Sequence, residues 1–348
     1  MQLAHYPRVK LGSFPTPLQE MPRLSKALGG PKIYVKRDDM TGLAMGGNKT
    51  RKLEFIMAEA MNEGANVIIT GAGLQSNWST QAAAAALRCG MKSVICSTGP
   101  EGKFQPEVYQ GNMLLHYLLG ADVRVFQVGF QELYNRIFAE VAEEMKQKGL
   151  KPYIAKYAGS TPIGTLGYIN AMLELTNQAT TQGIPIDYIV NGCGAGGTQA
   201  GLVLGAEAYN TGIKVIGIAV SPGDKAAAVA GKINDTAAML GLDITKKPED
   251  VTVLTDYIGE GYGAINKELV DTIKLVAETE GIFLDPVYTG KAMMGLISLI
   301  KKGTFNKDDT VVFLHTGGQS ALFPFAEPVV SLYESQTPSW TKSPWGMW

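Results

Sequence analysis

The chain of 348 residues is long for one domain and sufficient for two, and its 45% hydrophobic and 18% charged residues are typical of a globular protein. Its formal net charge of −1 gives no general electrostatic attraction to nucleic acid or to an anionic membrane, so a small molecule is the expected ligand. The three cysteines are scattered, and the three histidines have no partner at zinc-ligand spacing. We therefore expect reduced thiols and no metal site. With no signal peptide or membrane span recognisable, we also expect a cytoplasmic protein.

Short apolar runs alternate with amphipathic segments along nearly the whole chain, often with glycine between them. The runs predict strands at 32–37, 67–70, 93–96, 122–126, 153–154, 188–190, 214–220 and 310–314. The predicted helices are one that begins at Lys49, then 75–89, 106–119, 130–148, 162–179, one that ends at 209, 224–240, 266–280 and 290–301. This alternation indicates βαβ units on mostly parallel sheets. We expect an α/β fold of two doubly wound open-sheet domains, with the ligand in the cleft between them.

The predicted domain division separates three parts of the chain. A larger domain is expected to combine residues 1–48 with 160–330, and a smaller α/β domain to comprise residues 49–159. Residues 331–348 change in composition and form a C-terminal tail. The three tryptophans of this tail, Trp340, Trp345 and Trp348, are expected to pack on the body or on a second subunit.

Lys49 follows two glycines, Gly46 and Gly47, and stands at the start of a basic helix-forming run. Glycine lets the backbone bend sharply there, so the lysine is held on the first helical turn. One interpretation is a solvated basic helix start. The other is a lysine that forms a Schiff base, which needs a fixed position and surroundings that lower its pKa.

A glycine-rich loop, residues 192–198 (GCGAGGT), follows a predicted strand and precedes a helix. A dinucleotide fingerprint would require an acidic residue near the end of the next strand, but that strand ends at Ser221 without one. A monophosphate cradle requires only free backbone N–H groups, a hydroxyl such as Thr198 and a helix N-terminus. A tight structural turn is the third interpretation, and we favour the cradle because a turn does not need four glycines. A fixed lysine and a phosphate cup together suit pyridoxal phosphate.

Three further loops hold polar side chains at predicted strand-to-helix turns. The loop that ends in Gln75, Ser76 and Asn77 could bind the carboxylate of an amino acid, although Ser76 and Asn77 could equally be helix caps. The segments 285–291 and 315–318 present Tyr288 and Thr316, for which a core tyrosine and a helix cap are the structural alternatives.

These stretches together resemble the D-cysteine desulfhydrase and 1-aminocyclopropane-1-carboxylate deaminase family, pyridoxal-phosphate enzymes of the tryptophan-synthase-β-like fold (fold type II). The resemblance covers nearly the whole chain and six or more motifs in order. The motifs that carry it are 15–18 (PTPL), 36–39 (KRDD), 46–49 (GGNK), 75–77 (QSN), the glycine loop 192–198, 285–288 (DPVY) and 315–318 (HTGG).

The resemblance implies roles for individual residues. The residues implied to act in catalysis are Lys49, which would bind the cofactor aldehyde, with Tyr288 and Ser76. The implied cofactor site comprises Asn48, Lys49, Asn77 at the ring oxygen, Gly194, Ala195, Gly196, Gly197 and Thr198 at the phosphate, and Thr289 with Thr316 near the ring nitrogen. The implied substrate site comprises Gln75, Ser76, Asn77, Trp78, Tyr262 and Tyr288.

The residue after Tyr288 indicates which branch of the family the chain resembles. The deaminases of this family, which open the cyclopropane ring, look to have a glutamate at this position. That glutamate keeps the pyridine nitrogen of the cofactor protonated. This chain resembles them less here, because it has Thr289. Without that proton the cofactor ring withdraws electrons less strongly, which suits a reaction that expels a good β leaving group. The chain departs from the desulfhydrases at Trp78-Ser79-Thr80, where they have histidine and, two places later, arginine, and at Cys193 and Gln199 beside the glycine loop. We expect the change at Trp78 to alter which substrates are accepted.

The sequence thus predicts a β-eliminating lyase that releases sulfide, pyruvate and ammonia from D-cysteine or a related small amino acid. Alternatives within the family are a 1-aminocyclopropane-1-carboxylate deaminase and a cysteate sulfo-lyase. A catalytically silent amino-acid-binding homologue is the alternative from another class, and a nicotinamide-dependent oxidoreductase is the weakest. The fold resemblance suggests a homodimer.

Overall fold

The computed structural model describes residues 3–99 and 109–334 of the chain. Its strands form two separate sheets. The strands are β1 (Leu18–Glu20), β2 (Lys32–Lys36), β3 (Val67–Thr70), β4 (Lys92–Thr98), β5 (Asp122–Phe126), β6 (Pro152–Ile154), β7 (Tyr188–Cys193), β8 (Lys214–Ala219), β9 (Val253–Leu254) and β10 (Thr310–Leu314). The larger sheet has the order β1-β2-β10-β7-β8-β9 and the smaller one the order β5-β4-β3-β6.

Helices cover both sheets. The α-helices are α1 (Pro22–Leu28), α2 (Lys49–Asn62), α3 (Asn77–Arg88), α4 (Asn112–Leu118), α5 (Phe130–Glu132), α6 (Phe138–Gln147), α7 (Pro162–Gln182), α8 (Gly197–Ala208), α9 (Lys225–Leu240), α10 (Lys267–Glu280), α11 (Thr289–Lys301) and α12 (Ala326–Glu334). A π-helical turn, Leu133–Ile137, joins α5 to α6, and six 3₁₀ turns are Leu3–His5, Asp38–Met40, Tyr157–Gly159, Pro248–Asp250, Gln319–Ala321 and Phe323–Phe325. No helix in the described ranges combines the length and the apolar character needed to cross a lipid bilayer.

The central strands of both sheets are buried and consist mainly of apolar residues. Every residue of β3 and β10 is buried. In the larger sheet β10 pairs in parallel with β2 on one side and β7 on the other, and β1 is the antiparallel edge strand. In the smaller sheet β3 pairs in parallel with β4 and β6. Continuous apolar strands are the pattern that parallel sheets require.

Helix α2, which begins at Lys49, is held by a buried charge network. The Arg51 guanidinium donates to both carboxylate oxygens of Asp38 at 2.8 Å and to both of Glu174 at 2.9 Å. A Cβ at Gly167 would lie 2.4 Å from the Arg51 carbonyl oxygen, so a glycine is required for α7 to approach α2 this closely. The network and the close approach fix the direction in which α2 presents its first turn to the cleft.

The predicted α/β fold with two parallel-sheet domains is confirmed, and the eight predicted strands all occur with small changes in length. The strands β1 and β9 and the helices α1 and α12 were not predicted, because each strand has at most three residues and the helices are short. The helix expected at 106–119 begins at Asn112, and residues 106–108 lie outside the described part. The tail tryptophans also lie outside it, and the domain boundaries stay a prediction.

Candidate active site

A cavity of about 480 Å³ lies between the two sheets, lined by the N-termini of α2, α3 and α8 and by loops at the carboxyl ends of strands. It brings together most of the residues singled out from the sequence: Asn48, Lys49, Ser76, Asn77, Trp78, Gly194, Ala195, Gly196, Gly197, Thr198, Tyr262, Tyr288 and Thr316. Gln75 and Thr289 are not among the lining residues. The site therefore collects side chains from both sheets at the position that an open α/β architecture favours.

Lys49 is the first residue of α2, and the two glycines before it are sterically required. Gly46 has φ +75°, and a Cβ there would lie 1.9 Å from the carbonyl oxygen of Asp39. Gly47 has φ +131°, and its Cβ would lie 2.6 Å from the side-chain nitrogen of Gln81. Burial lowers the pKa of the Lys49 amine to about 8. A lysine with this pKa is unprotonated often enough near neutral pH to act as a nucleophile.

The glycine loop forms an anion cup at the start of α8. Gly196 is the residue before the helix and has φ +88°. Gly197 donates its backbone N–H to the hydroxyl of Ser160 at 3.3 Å, and a Cβ on Gly197 would lie 2.7 Å from that side chain. Thr198 accepts a hydrogen bond from the Asn48 amide at 3.0 Å. The loop thus presents backbone N–H groups and a helix N-terminus to the cavity, as a phosphate requires.

Lys52 completes this cup and was missed in the sequence analysis. Its side chain is buried and lines the cavity, where its Nζ lies 3.3 Å from the hydroxyl of Ser160. No carboxylate pairs with it in the described ranges, and burial, followed by repulsion from Lys49 and Lys232, lowers its pKa well below the ordinary value. A buried amine without a carboxylate partner beside a glycine loop fits an anionic ligand group, because a bound anion would favour the protonated form of the lysine. The sequence feature that could have indicated Lys52 is its position three residues after Lys49, which places both lysines on the same face of the helix.

Ser76 and Asn77 stand at the N-terminus of α3. The Ser76 hydroxyl oxygen accepts the backbone N–H of Ser79 at 3.1 Å, so this residue is a helix cap whose own hydroxyl proton stays available to a ligand. Asn77 accepts a hydrogen bond from Asn112 at 2.8 Å through its side-chain oxygen. Gln75 is directed away from the cavity, because its side chain accepts from the backbone N–H of Asn112 at 2.8 Å and donates to the carbonyl oxygen of Gln110 at 3.1 Å.

Trp78 is a packing residue of the smaller domain as well as part of the cavity wall. Its indole is 2% exposed, and its N–H donates to the hydroxyl of Thr70 at 2.6 Å. A Cβ on Gly159 would lie 2.8 Å from the indole ring. The polar edge of the indole is therefore satisfied inside the protein and is not free to bind a substrate.

Tyr262 and Tyr288 form a hydroxyl pair at 2.5 Å, with their rings packed edge to face at a centroid distance of 5.9 Å. The Tyr288 ring also lies over the glycine loop, where a Cβ on Gly194 would be 3.4 Å away. Burial, followed by the neighbouring Tyr262, raises the pKa of Tyr288 well above its ordinary value. Tyr288 consequently keeps its proton and can act as a hydrogen-bond donor or an acid.

The loop that carries Tyr262 is tied to α11 by Lys291. The buried ammonium of Lys291 donates to the carbonyl oxygens of Ile258 and Gly261, both at 2.7 Å. Lys291 is three residues after Tyr288, so one helix start holds both tyrosines of the pair. The sequence analysis did not single out Lys291, because its acceptors are backbone groups some thirty residues earlier.

Thr289 lies behind the cavity wall, where its hydroxyl donates to Asp285 at 2.7 Å and accepts the backbone N–H of Asp285 at 2.8 Å. Thr316 does line the cavity, and its carbonyl oxygen accepts the backbone N–H of Asn48 at 3.0 Å. None of the residues found to line the cavity in the described ranges is aspartate or glutamate. The charged side chains in the lining are Lys49, Lys52 and Lys225, so the site is suited to anionic groups.

Residues 9–317 match the family described as pyridoxal-phosphate dependent enzyme. A putative 1-aminocyclopropane-1-carboxylate deaminase from Pyrococcus abyssi is 40% identical over 95% of this chain and 97% of its own length. A D-cysteine desulfhydrase from Yersinia enterocolitica is 39% identical over 93% of this chain and 97% of its own. The crystal structure of an ACC deaminase homologue superposes with a TM-score of 0.86 at 37% identity, covering 95% of this chain and 97% of the other. A tomato threonine deaminase, at 19% identity and a TM-score of 0.62, shares the fold.

The residues of the cavity fit the cofactor of that family. The aldehyde has a nucleophilic amine in Lys49, and the phosphate has the glycine loop together with the unpaired cation of Lys52. The predicted family, fold type and cofactor are thereby confirmed. The chain belongs to the pyridoxal-phosphate-dependent enzymes, in the group that contains the D-cysteine desulfhydrases and the 1-aminocyclopropane-1-carboxylate deaminases.

Proposed function

We propose that this enzyme is a carbon–sulfur lyase that converts D-cysteine, or a related small β-substituted amino acid, into pyruvate, ammonia and sulfide. Similarity to the group leaves two reactions open, because relatives at nearly equal identity are named for each. The observation that carries our choice is the absence of any carboxylate from the cavity lining in the described part of the chain. Without an acidic partner the pyridine nitrogen is not held protonated, and the weaker electron sink suits the loss of a good leaving group.

In the proposed arrangement Lys49 would hold the cofactor aldehyde, residues 194–198 and Lys52 would hold the phosphate, and Asn77 would bind the ring oxygen. The bound cofactor supplies an electron sink that makes the α-proton of an amino acid acidic. Support for the arrangement comes from the Asn48–Thr198 hydrogen bond, which joins the lysine end of the site to the phosphate end.

The substrate carboxylate is proposed to bind at the N-terminus of α3, where the Ser76 hydroxyl proton and the helix dipole favour a negative charge. The substrate amine would replace Lys49 on the cofactor aldehyde, and the released Lys49 amine, which burial makes less basic, would then take the α-proton. Tyr288 lines the cavity and keeps its proton, so its hydroxyl would act as a hydrogen-bond donor to the departing sulfur. The carbon–sulfur bond breaks with its electron pair on sulfur, and one water molecule per turnover completes the conversion to pyruvate and ammonia.

A 1-aminocyclopropane-1-carboxylate deaminase is the second candidate, supported by the 40% identical relative from Pyrococcus abyssi. A cysteate sulfo-lyase is the third, because Lys225 also lines the cavity and could accept a sulfonate. A silent amino-acid-binding homologue is the candidate from another class. We also propose that the protein is cytoplasmic. We further propose that it forms a homodimer, which analytical ultracentrifugation of the purified protein would test.

The deciding experiment measures the products released from each substrate by the purified, cofactor-loaded protein. D-cysteine should give pyruvate and sulfide in equal amounts, and L-cysteine should give much less of both. Lys49→Ala should lose this activity by at least about 10³-fold, whereas Lys146→Ala, at an exposed lysine of the smaller domain, should keep it.

The other candidates have distinct products. Formation of 2-oxobutanoate from the cyclopropane substrate, at a rate exceeding that on D-cysteine, would show a deaminase, and sulfite from cysteate would show a sulfo-lyase. A cofactor absorption band that shifts with amino acids while no product forms would show a silent binding protein. The deaminase and silent-binding outcomes would reject the proposed carbon–sulfur lyase, and sulfite from cysteate without sulfide from D-cysteine would reject sulfide as its leaving group.

A further inference from the structure

We propose that Asn112 is a positioning residue that turns the side-chain amide of Asn77 so that its N–H groups, and not its oxygen, face the cofactor cavity. The direction of an asparagine amide decides whether a ligand meets a donor or an acceptor, because the two ends have nearly the same shape. This inference rests on the proposed placement of Asn77 beside the ring oxygen. It does not depend on which amino acid is the substrate.

The orientation of Asn112 itself is fixed by a backbone group. Its side-chain nitrogen lies 3.0 Å from the carbonyl oxygen of Gln75, which can only accept a hydrogen bond. Its side-chain oxygen must therefore point the other way, where the hydroxyls of Thr80 and Ser320 lie at 2.8 and 3.0 Å. The side chain of Asn112 is 1% exposed, so water does not compete for these bonds.

The orientation of Asn112 then determines that of Asn77. The second hydrogen of the Asn112 nitrogen is directed at the Asn77 oxygen at 2.8 Å. The single hydrogen of the Ser320 hydroxyl has the Asn112 oxygen at 3.0 Å and the Asn77 oxygen at 3.3 Å as alternative acceptors, so Asn112 is the constant donor to Asn77. Because the oxygen of Asn77 is engaged on the protein side, its nitrogen is the end left for the cavity that Asn77 lines.

Two buried residues extend the network away from the cavity. The Thr80 hydroxyl, which donates to Asn112, lies 2.9 Å from the Nε2 of His116. Since Thr80 has a single hydroxyl hydrogen, the bond between them requires His116 to carry its proton on Nε2. Burial lowers the pKa of His116 to about 4, so the ring is neutral at physiological pH and has one proton to donate. The order of donors is then His116, Thr80 and Asn112.

The consequence concerns the ring oxygen of pyridoxal phosphate, which carries negative charge. An amide N–H stabilises an anionic oxygen, while an amide oxygen at the same position repels it. Thr80 stands one helical turn after Ser76, on the helix that carries Asn77. In this chain Thr80 serves the network that fixes Asn77.

The test compares the binding of two cofactors to the full chain after its cofactor has been removed. One is pyridoxal 5′-phosphate, and the other is 3-deoxypyridoxal 5′-phosphate, which lacks the ring oxygen. The ratio of their dissociation constants measures what the protein gains from that oxygen. Asn77→Ala defines the ratio in the absence of the amide, and the wild type should exceed it about tenfold in favour of pyridoxal phosphate.

Asn112→Asp keeps the size of the side chain but cannot donate to Asn77. The Asn77 amide should therefore turn its N–H groups toward position 112 and present its oxygen to the cavity. The preference for pyridoxal phosphate should then fall to the Asn77→Ala value. Thr80→Val should reduce the preference severalfold without adding a charge. Thr272→Val removes another buried threonine hydroxyl, remote from the cavity in α10, and should leave the ratio unchanged.

A structural role alone would weaken the binding of both cofactors equally, and an unchanged ratio in Asn112→Asp and Thr80→Val would overturn the inference. If Asn112→Asp does not fold, an unchanged ratio in Thr80→Val is sufficient to overturn it. A wild-type ratio equal to that of Asn77→Ala would instead reject the placement of Asn77 at the ring oxygen. The assay scores cofactor binding, so failure of the proposed lyase reaction would be seen separately in the product measurements.

Discussion

The side-chain amide of Asn48 donates a hydrogen bond to the hydroxyl of Thr198 at 3.0 Å, and both residues line the cavity. Asn48 immediately precedes Lys49 at the start of α2, and Thr198 is the second residue of α8, behind the glycine loop. The bond therefore joins the segment of Lys49, the lysine proposed to bind the cofactor aldehyde, to the glycine loop proposed to bind the phosphate. Both partners are buried, which makes the spacing between the two ends of the site resistant to change.

The first prediction concerns the pH dependence of cofactor capture by Lys49. Burial lowers the pKa of its amine from 10.5 to about 8, and only the neutral amine attacks an aldehyde. The rate of covalent capture of pyridoxal phosphate by the cofactor-free protein should therefore rise with pH through about 8 and level off above it. Stopped-flow absorption would measure this rate. A rate that keeps rising tenfold per pH unit to pH 10 would show an ordinary, unshifted lysine.

The second prediction concerns Lys52, whose buried amine has no carboxylate partner in the described ranges. Lys52→Met should leave the cofactor-free protein equally stable or more stable, because it removes a buried polar group whose charged form is disfavoured by burial. The same change should weaken pyridoxal phosphate about 10- to 100-fold by removing a charge-assisted bond to the phosphate. Thermal unfolding with and without cofactor, and with inorganic phosphate alone, would measure both effects.

Lys146→Met is the matched control for Lys52, because Lys146 is exposed on α6 and its loss should change neither the stability nor the binding. An unchanged increase in Tm on adding phosphate to Lys52→Met would exclude Lys52 from the phosphate site.

The third prediction separates the two tyrosines of the hydroxyl pair. The pKa of Tyr288 is raised well above its ordinary value, so its hydroxyl is a proton donor and not a base at neutral pH. Tyr288→Phe should lower kcat by about 10²-fold, the usual scale for loss of a general acid, while KM changes little. Tyr262→Phe should have a smaller effect, because Tyr262 is 53% exposed and acts through its bond to Tyr288. Equal kcat for Tyr288→Phe and the wild type would remove its hydroxyl from the reaction.

The glycines explain why so much of the site could be predicted from the sequence. Gly46 and Gly47 adopt backbone angles that other residues rarely take, and Gly197 lies against Ser160 with no room for a Cβ. Such positions restrict the residue type locally, so the loops before α2 and α8 can be recognised from a short stretch of chain. The sheets follow for a related reason, since a strand buried on both faces must be apolar throughout.

What could not be predicted depends on contacts between distant segments. Lys52 is a cofactor-site candidate because Ser160, which is 108 residues away, lies beside it. Thr289 was expected in the environment of the ring nitrogen, but it bonds to Asp285 four residues earlier and leaves the cavity wall. Gln75 similarly bonds to the segment at Asn112. A polar side chain near a loop has several possible partners, and only the packing of that loop selects one.

The last prediction concerns Lys291, whose ammonium binds the carbonyl oxygens of Ile258 and Gly261 in the loop that carries Tyr262. Lys291→Met leaves two carbonyl groups without their donor, so the free energy of unfolding should fall by about 1–3 kcal/mol and the loop should loosen. Because Tyr262 then loses its fixed place beside Tyr288, kcat/KM should fall about tenfold. Lys301→Met, at the exposed end of the same helix, should change neither quantity.

A double-mutant cycle decides whether Lys291 acts through Tyr262. In the Tyr262→Phe background the hydroxyl contact with Tyr288 is already absent, so Lys291→Met should add little further loss of kcat/KM while still lowering the stability. Steady-state kinetics and urea unfolding of the four proteins would give the two coupling energies. If the losses of kcat/KM caused by Lys291→Met and Tyr262→Phe simply add, Lys291 does not act through Tyr262. Its bonds to the loop carbonyls would then affect the reaction by another route.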